Sequence, residues 1–356
     1  MVFNKIEQDQ VLWELFTKKE EYNPISLDKY GRFPYFFSNQ RDIFEPRVSD
    51  FLIKNGLNPE YPEGKKFALC LTHDIDFVCN SVLNTAARTV KALKKGHFAE
   101  ASILPFSAIN KTWSPLWNFR QIMKLEEQYG AKSSFYFLTL DPKNEDFSFS
   151  IEELEEELNR ISEEGWEVGL HGGHEAYNNP AEIKNKKQKL EKVLKKKVMG
   201  YRNHYLRFKT PDTWELLAEA GFKYDSTFGY HDCAGFRNGM CHPFIPYNLN
   251  TGKEINILEI PLCVMDTTLF NHMHLDFQQA WRVVEKLILT VEQHKGILTI
   301  IWHNTYMQGD YLEFYKKILQ FSAQRGAWMT SGDQIYNWWK EKYGDLSYTA
   351  KCELKC

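Results

Sequence analysis

The sequence lacks the features of a membrane-spanning or exported protein. No segment approaches the roughly 18 consecutive apolar residues that a membrane-spanning helix needs. No basic and then apolar leader follows Met1, so we expect no export signal. The net charge of −3 gives no strong attraction to nucleic acid or to an anionic membrane surface. We therefore expect neither a membrane span nor a nucleic-acid partner.

Cysteine is sparse and follows no pattern. The 356 residues contain seven cysteines, and no Cys-x-x-Cys pair occurs among them. An odd and scattered set argues against the disulfide framework of small secreted domains. We therefore expect reduced thiols in a cytoplasmic protein. The seven are Cys70, Cys79, Cys233, Cys241, Cys263, Cys352 and Cys356.

Internal repeats are also missing, so a solenoid or a propeller is not expected. The hydrophobic content of 43% and the charged content of 26% are ordinary for a globular protein. A chain of 356 residues can bury a large core. Length and composition therefore fit one barrel-sized domain with a smaller appendage.

Short apolar runs alternate with longer amphipathic runs from residue 67 onward. The apolar runs predict buried strands, and the amphipathic runs predict helices, several of which stop at a glycine. Strands that alternate with helices in this way indicate a parallel α/β sheet that closes into a barrel. The predicted strands cover residues 67–73, 132–140, 166–171, 197–202, 256–264, 297–303 and 327–330. The predicted helices cover residues 116–129, 151–164, 181–196, 211–220, 276–294, 310–325 and 332–342.

Three parts of the chain do not follow this alternation. Residues 1–66 are rich in aromatic residues, Asn and Pro, and they predict an N-terminal cap folded against the barrel. Residues 77–115 form a long insertion after the first strand, with a predicted helix at 82–93. Residues 343–356 form a Lys-rich tail. The predicted barrel domain is therefore 67–342.

The end of the first predicted strand is the most informative stretch of the chain. The apolar run that begins at Phe67 leads directly into His73, Asp74 and Asp76. Parallel strands deliver their carboxyl ends to the rim where ligands bind in α/β folds. Carboxylate and imidazole groups are also the ligands of a hydrolytic metal centre. A turn or a helix N-cap would explain this one strand end equally well.

Three later strand ends repeat the pattern, which packing alone does not explain. A Gly-Gly pair separates two histidines after the third predicted strand, and an acid follows them. The fourth strand leads into an arginine and a histidine, and the most apolar run leads into His-Asn. Histidine is the commonest metal ligand near neutral pH. The residues are His171, His174, Glu175, Arg202, His204, His303 and Asn304.

The order of these motifs resembles that of the polysaccharide deacetylases of carbohydrate esterase family 4. The matching stretches are Thr72-His-Asp-Ile-Asp76, His171-Gly-Gly-His174, Arg202-Asn-His204 and Trp302-His-Asn304. Residues 224–229 and 235–239 resemble the substrate loop of a bacterial subgroup that is associated with surface-glycan gene sets. The resemblance covers about residues 67–340 and implies a distorted seven-stranded (β/α) barrel with an N-terminal extension.

The resemblance also implies a catalytic role for three residues. Asp74 is expected to be the base, and Arg202 is expected to orient it through a bidentate contact. His303 suits the acid that protonates the leaving amine. The family usually has two adjacent acids, but Ile75 separates them here. The sequence therefore allows Asp74 and Asp76 to exchange the roles of base and metal ligand.

A divalent metal is the implied cofactor, held by Asp76, His171 and one further residue. The family usually spaces its two histidines four apart, but this chain has Glu175 at that position. His174, Glu175 or His204 therefore supplies the third ligand. Oxygen and imidazole ligands suit Zn and also Co, Mn or Ni. The expected substrate contacts are Tyr205, Phe236, Arg237 and Trp302.

These expectations define two alternative functions. The first is a metal-dependent hydrolase that removes an acetyl group from an N-acetylated sugar in polysaccharide biosynthesis or modification. The second is a catalytically inactive barrel that binds a glycan or a partner enzyme. A carbohydrate is the expected partner in the first case, and metal content distinguishes the two.

Overall fold

A computed structural model of the chain describes residues 3–79 and 110–344. The predicted helix at 82–93 lies outside the described residues, as do most of the insertion, Cys352 and Cys356.

Parallel strands form the centre of the molecule, as the apolar runs predict. The strands are β1 (Phe67–Ile75), β2 (Ser134–Leu138), β3 (Glu167–Gly172), β4 (Gly200–Asn203), β5 (Tyr224–Asp225), β6 (Tyr247–Asn248), β7 (Lys253–Glu254), β8 (Leu258–Glu259), β9 (Leu262–Met265), β10 (Ile297–Ile301) and β11 (Ala327–Thr330). Every residue of β1, β2 and β3 is buried. Side chains that fill the barrel interior cover one face of these strands, and helices cover the other.

The strand order is that of a distorted (β/α) barrel whose two end strands form no ladder with each other in the described residues. The order is β8-β5-β4-β3-β2-β1-β10-β9, and β11 pairs with the first half of β1. The end strands β8 and β9 are separated in the chain only by Ile260 and Pro261. This segment therefore joins the two edges of the sheet. The predicted barrel with an N-terminal extension is confirmed.

The main sheet contains nine strand segments in the described residues, whereas the sequence predicts seven strands. One difference is β5, which has two residues and therefore no periodic pattern to detect. The other difference is the break near Pro261, which divides the predicted strand 256–264 into β8 and β9. Proline cannot donate a ladder hydrogen bond, so a strand is interrupted there.

Helices surround the barrel and follow the strands in the predicted order. They are α1 (Gln10–Thr17), α2 (Arg47–Lys54), α3 (Phe119–Glu127), α4 (Glu155–Glu163), α5 (Pro180–Leu194), α6 (Asp212–Glu219), α7 (Phe277–Gln293), α8 (Gly309–Gln324) and α9 (Gly332–Tyr343). Short helical turns occupy Phe3–Gln8, Lys19–Glu21, Tyr35–Phe37, Pro62–Gly64, Lys111–Trp113, Ile151–Leu154, Ala176–Asn178, His204–Leu206, Thr268–His272 and Asn304–Tyr306. No helix of the described segments has both the length and the apolarity to cross a bilayer.

The N-terminal extension packs against the loop that follows β5. The Arg237 guanidinium donates to both carboxylate oxygens of Glu21, with Nε–Oε1 at 2.9 Å and Nη2–Oε2 at 2.6 Å. The backbone N–H groups of Val48 and Ser49 both donate to the Gly239 carbonyl oxygen. A buried bidentate ion pair and a shared carbonyl therefore attach this extension to the barrel.

A buried acid, Glu167, lies inside the barrel at the start of β3. Oε2 of Glu167 accepts hydrogen bonds from the Ser134 hydroxyl at 2.6 Å, the Tyr224 hydroxyl at 2.7 Å and the Asp333 backbone N–H at 2.9 Å. Burial and the nearby Asp333 carboxylate raise the pKa of Glu167 to about 8, although the hydrogen bonds oppose this shift. The folded state therefore favours the protonated form of Glu167.

This acid makes stability depend on pH. The folded pKa of Glu167 lies above the unfolded value of about 4.3, so the stabilisation from its bound proton is complete below about pH 4. That stabilisation is lost as the pH rises towards 8. We expect Glu167→Gln, which resembles the protonated acid, to weaken this loss and to exceed wild type in stability at pH 8.

Urea unfolding at several pH values measures the effect. The Glu167 contribution falls by up to about 1.4 kcal/mol per pH unit within that interval. Glu163→Gln is the matched control, because it removes the same charge from an exposed position on α4. Parallel stability curves for wild type and Glu167→Gln would contradict the assignment.

Candidate metal centre and active site

The carboxyl end of β1 brings two aspartates to the centre of the barrel rim. Asp74 is the eighth residue of β1, and Asp76 follows the strand directly. Side chains alternate along a strand, so Asp74 and Asp76 point to the barrel interior while His73 points outward. His73 is buried there against Glu126 of α3, with Nε2 and Oε1 2.9 Å apart. His73 therefore has a structural role, and the two aspartates face the site.

Three histidines from different strand ends surround Asp76. Nε2 of His171 lies 3.3 Å from Asp76 Oδ1, and Nε2 of His204 lies 3.5 Å from the same oxygen. Nε2 of His303 lies 3.7 Å from Asp76 Oδ2. Burial opposes ionisation, but the charge of His204 and the close approach of the His171 and His204 rings hold the pKa of Asp76 well below its usual range.

The backbone of the adjacent strand orients His171. Its Nδ1 lies 3.0 Å from the carbonyl oxygen of Arg202, which can only accept a hydrogen bond. Nδ1 therefore carries the proton, and the lone pair of Nε2 is available towards Asp76. Both Nε2 of His171 and Oδ1 of Asp76 are buried atoms without a hydrogen-bond partner. Two such atoms that face one another fit a bound cation.

A carboxylate in the loop after β2 orients His204. Nδ1 of His204 lies 2.8 Å from Oδ2 of Asp146, so Nδ1 carries the proton and Nε2 faces Asp76. Burial opposes a positive ring, yet the carboxylates of Asp76 and Asp146 raise the pKa of His204 to about 9. A cation bound at Asp76 would compete with that proton.

His303 is held in the same manner by Asp266, which follows β9. Nδ1 of His303 donates to Asp266 Oδ1 at 2.7 Å, and the His303 backbone N–H donates to the other oxygen. Burial opposes protonation, but the charges of Asp266, Asp76 and Asp74 raise the pKa of His303 to about 10. The ring is therefore cationic at neutral pH and can give a proton from Nε2.

The geometry selects one group of potential metal ligands. Ligand atoms of Asp76, His171 and His204 all lie within 4.8 Å of one another, and no other group of three metal-ligating side chains this close occurs in residues 3–79 and 110–344. One carboxylate and two imidazoles resemble the ligand sets of hydrolytic zinc sites, which leave further positions open. Such ligands also suit Co, Mn or Ni.

His174 and Glu175 do not belong to this group. Nδ1 of His174 lies 2.9 Å from Oε1 of Glu175, which also accepts from Nη1 of Arg207 at 2.6 Å. Both side chains therefore have partners at the edge of the rim. The prediction of His174 as a metal ligand is not supported, because the Gly-Gly turn directs its ring away from Asp76 and towards Tyr30 and Tyr205.

Arg202 reaches Asp74 through a single contact rather than the expected bidentate pair. Its Nη1 lies 3.2 Å from Asp74 Oδ1 and also donates to the Thr72 hydroxyl at 2.5 Å. Nε and Nη2 donate to the backbone and the hydroxyl of Ser226, each at 2.8 Å. Ser226 thus occupies the other edge of the guanidinium, which is fully buried. Arg202 supplies one charge-assisted hydrogen bond to Asp74.

Only one of the four expected substrate contacts is open to solvent. Tyr205 is 40% exposed, and its ring lies 4.2 Å from that of His204. Phe236 and Trp302 are fully buried, and Trp302 stacks on Phe314 of α8. Arg237 is buried in its ion pair with Glu21. The expectation for these three residues is corrected: they pack beneath the rim and cannot touch a ligand there.

The N-terminal extension completes one wall of the rim, which the sequence does not predict. The Tyr30 ring stacks on Tyr205 with centroids 5.0 Å apart. Nη1 of Arg32 donates to the Tyr205 carbonyl oxygen at 2.8 Å, while its Nε donates to Asp28 at 2.8 Å. Residues 28–32 therefore lie next to Tyr205, whose ring contacts His204.

The two acids that orient His204 and His303 lie outside the sequence motifs. Asp266 had a usable signal, because it directly follows the apolar strand β9 just as Asp76 follows β1. Asp146 had none, because it lies in a polar stretch of twelve residues, 139–150, between β2 and the next helical turn. Its proximity to His204 arises only when β2 and β4 are placed in one sheet.

Comparisons with known proteins agree with this architecture. No protein-family model and no curated protein sequence matches the chain. A candidate polysaccharide deacetylase from Mycobacterium smegmatis matches with a TM-score of 0.55 and 16% identity, over 80% of this chain and 93% of that one.

Two further solved structures are less similar. A pseudoenzyme of carbohydrate esterase family 4 from Bacillus anthracis matches with a TM-score of 0.41 and 10% identity, over 79% of this chain and 70% of that one. A mutant of the peptidoglycan deacetylase PdaC from Bacillus subtilis matches with a TM-score of 0.38 and 12% identity, over 79% of this chain and 95% of that one. The chain has the fold of the polysaccharide deacetylases, the family that its motifs resemble.

Proposed function

We propose that the protein is a metal-dependent hydrolase that removes an acetyl group from an N-acetylated sugar. The observation that carries the proposal is the arrangement around Asp76, where two imidazoles and a carboxylate place their ligand atoms within 4.8 Å of one another. Asp74 and His303 both adjoin this group, with Asp74 Oδ2 3.8 Å from Nε2 of His171 and Nε2 of His303 3.7 Å from Asp76 Oδ2. The shared fold supports the assignment but does not by itself supply the chemistry.

Asp76, His171 and His204 would hold the divalent ion. The buried and unpartnered Oδ1 of Asp76 and Nε2 of His171 fit such an ion, and Nε2 of His204 lies 3.5 Å from the same Asp76 oxygen. When bound, the ion supplies Lewis-acid polarisation of the amide carbonyl and of the attacking water. We place zinc first among the candidates because its hydrolytic sites use this ligand set.

The chain's own residues move the protons. Asp74 takes a proton from the water that attacks the carbonyl carbon, and the hydrogen bond from Arg202 fixes the carboxylate in place. The C–N bond then breaks as His303 gives its Nε2 proton to the departing sugar nitrogen. The products are acetate and the free amine. Asp266 keeps His303 charged and correctly rotated for this step.

A carbohydrate substrate is consistent with the open part of the rim. Tyr205 offers an exposed aromatic edge beside His204, and aromatic side chains with a polar tip suit sugar surfaces. We propose a polysaccharide precursor or polysaccharide modification as the context, as the motif resemblance implies. The five cysteines of the described part are unpaired thiols, which supports a reducing, cytoplasmic compartment.

Paired substitutions separate the base from the ligand. We expect Asp74→Asn to retain the metal and lose turnover, because asparagine has the same size but cannot take the proton. We expect Asp76→Asn to weaken metal binding, because it replaces an anionic ligand by a neutral one. Metal content by elemental analysis and acetate release from N-acetylglucosamine oligomers are the two measurements.

The same pair of measurements tests the alternative function. If Asp74→Asn strips the metal and Asp76→Asn retains it, the two roles are exchanged. If purified wild type holds no transition metal and releases no acetate when metal is added, the barrel is inactive and binds its partner without chemistry.

Substitution of His303 tests the proton donor. Because His303 must be protonated when the C–N bond breaks, the wild-type rate should fall at high pH. We expect His303→Ala to lose most of this alkaline limb and to slow turnover by roughly 10²–10⁴-fold, a range typical of one acid–base group. Metal content should stay unchanged. The measurement is turnover against pH on folded, metal-loaded protein.

His294→Ala is the control for the His303 experiment. It removes an imidazole directly after the end of α7, where Nδ1 bonds the local Thr290 carbonyl and Nε2 lies 3.7 Å from Oδ1 of Asp50 in α2. Its pH profile should match that of wild type. An unaltered profile in His303→Ala, with lower thermal stability alone, would show that His303 only packs beneath the rim.

A further inference from the structure

Asp146 connects three of the loops that form the rim. It lies in the loop after β2, and its Oδ2 accepts from Nδ1 of His204 at 2.8 Å. The same oxygen accepts from the backbone N–H of His174 at 3.0 Å, in the turn after β3. The side chain of Asp146 is only 9% exposed. One carboxylate oxygen therefore joins the β2, β3 and β4 loops.

The orientation of the His204 ring depends on the Asp146 side chain, whereas that of the His171 ring depends on a backbone carbonyl. The β4 strand ends at Asn203, and the two residues after His204 turn the chain sharply, with φ of +60° at Tyr205 and +53° at Leu206. Left-handed conformations at two successive non-glycine residues are costly and need support from neighbours. By contrast, the backbone of a regular strand fixes His171.

The contact also decides which nitrogen of His204 faces Asp76. A carboxylate only accepts hydrogen bonds, so Nδ1 of His204 carries a proton and Nε2 keeps the position 3.5 Å from Asp76 Oδ1. Loss of the carboxylate would leave the ring free to rotate or to change tautomer. Carboxylates that bond a metal-binding histidine in this way orient the ring and strengthen it as a ligand.

We infer that Asp146 is the positioning residue of the cation site, fixing the orientation and tautomer of His204 so that its Nε2 completes the ligand set with Asp76 and His171. This inference rests on the proposed function, because it assumes that a divalent ion binds at this group. Asp146 lies outside every motif that resembles the family. The β2 loop thus takes part in building the site, although it contributes no ligand.

Metal affinity tests the inference without reference to turnover. The probe is Co²⁺, titrated into metal-stripped full-length protein and followed by its visible absorption spectrum. We expect Asp146→Ala to bind Co²⁺ about 10–100-fold more weakly than wild type, with an altered spectrum. We expect Asp146→Asn to recover most of the affinity, because its amide oxygen can accept the same two hydrogen bonds.

Asp141→Ala is the matched control. It removes the same charge from the same loop, but Asp141 pairs with Lys189 on the surface, with Oδ1 and Nζ 2.8 Å apart. Its affinity and spectrum should equal those of wild type. A double-substitution cycle with His204→Ala adds a second check, because Asp146→Ala should cost nothing further once His204 is absent.

The outcomes separate this inference from the proposed function. If wild type fails to bind Co²⁺, the cation site itself is refuted, and the proposed function fails with it. If wild type binds and folded Asp146→Ala binds equally well with the same spectrum, only the role of Asp146 is refuted. If Asp146→Ala does not fold, Asp146→Ser takes its place, because its short hydroxyl cannot reach the His204 ring. Weaker Co²⁺ binding that disappears in the His204→Ala background supports the inference, whereas equal loss in both backgrounds, or no loss in either, overturns it.

Discussion

The carboxylate of Asp76, whose Oδ1 is buried, is the constraint around which the rim of this barrel is organised. A charge in such a position is costly unless opposite charges or hydrogen-bond donors compensate it. Here the compensation comes from three imidazoles at 3.3 to 3.7 Å, each at the end of a different strand. The strands β1, β3, β4 and β10 must therefore keep their registers for the site to exist. The parallel pairing of Leu170–Gly172 with Tyr201–Asn203 shows how closely two of these ends are matched.

Each imidazole is in turn fixed by an oxygen acceptor on its far side. The acceptors differ in kind: a backbone carbonyl holds His171, whereas carboxylates hold His204 and His303. Burial opposes protonation of both rings, but the charge of Asp76 with the Asp146 acceptor raises the pKa of His204 to about 9, and the Asp266 acceptor raises that of His303 to about 10. A carboxylate acceptor therefore orients two rings in different positions: His204 beside the oxygen of Asp76 that would bind a cation, and His303 with its Nε2 proton towards the site.

The N-terminal extension is a structural part of this site rather than a separate appendage. Its ion pair between Glu21 and Arg237 is buried, and breaking one partner of a buried pair is strongly destabilising. The same extension places Tyr30 against Tyr205, next to His204. Residues expected to bind substrate in the loop after β5 instead hold this extension. The exposed aromatic surface beside His204 is therefore formed by Tyr205 and residues 28–32.

The sequence by itself determined the barrel, the order of its strands and helices, and the residues of β1, β3, β4 and β10 that reach the rim, because burial on both faces and helical periodicity are local patterns. It also predicted that Asp76 and His171 lie together. Only the tertiary structure distinguished His204 from His174, placed Phe236, Arg237 and Trp302 beneath the rim, and brought Asp146 and Asp266 to their histidines. Those facts depend on strand register and on contacts between loops distant in sequence, for which short stretches of sequence contain no signal.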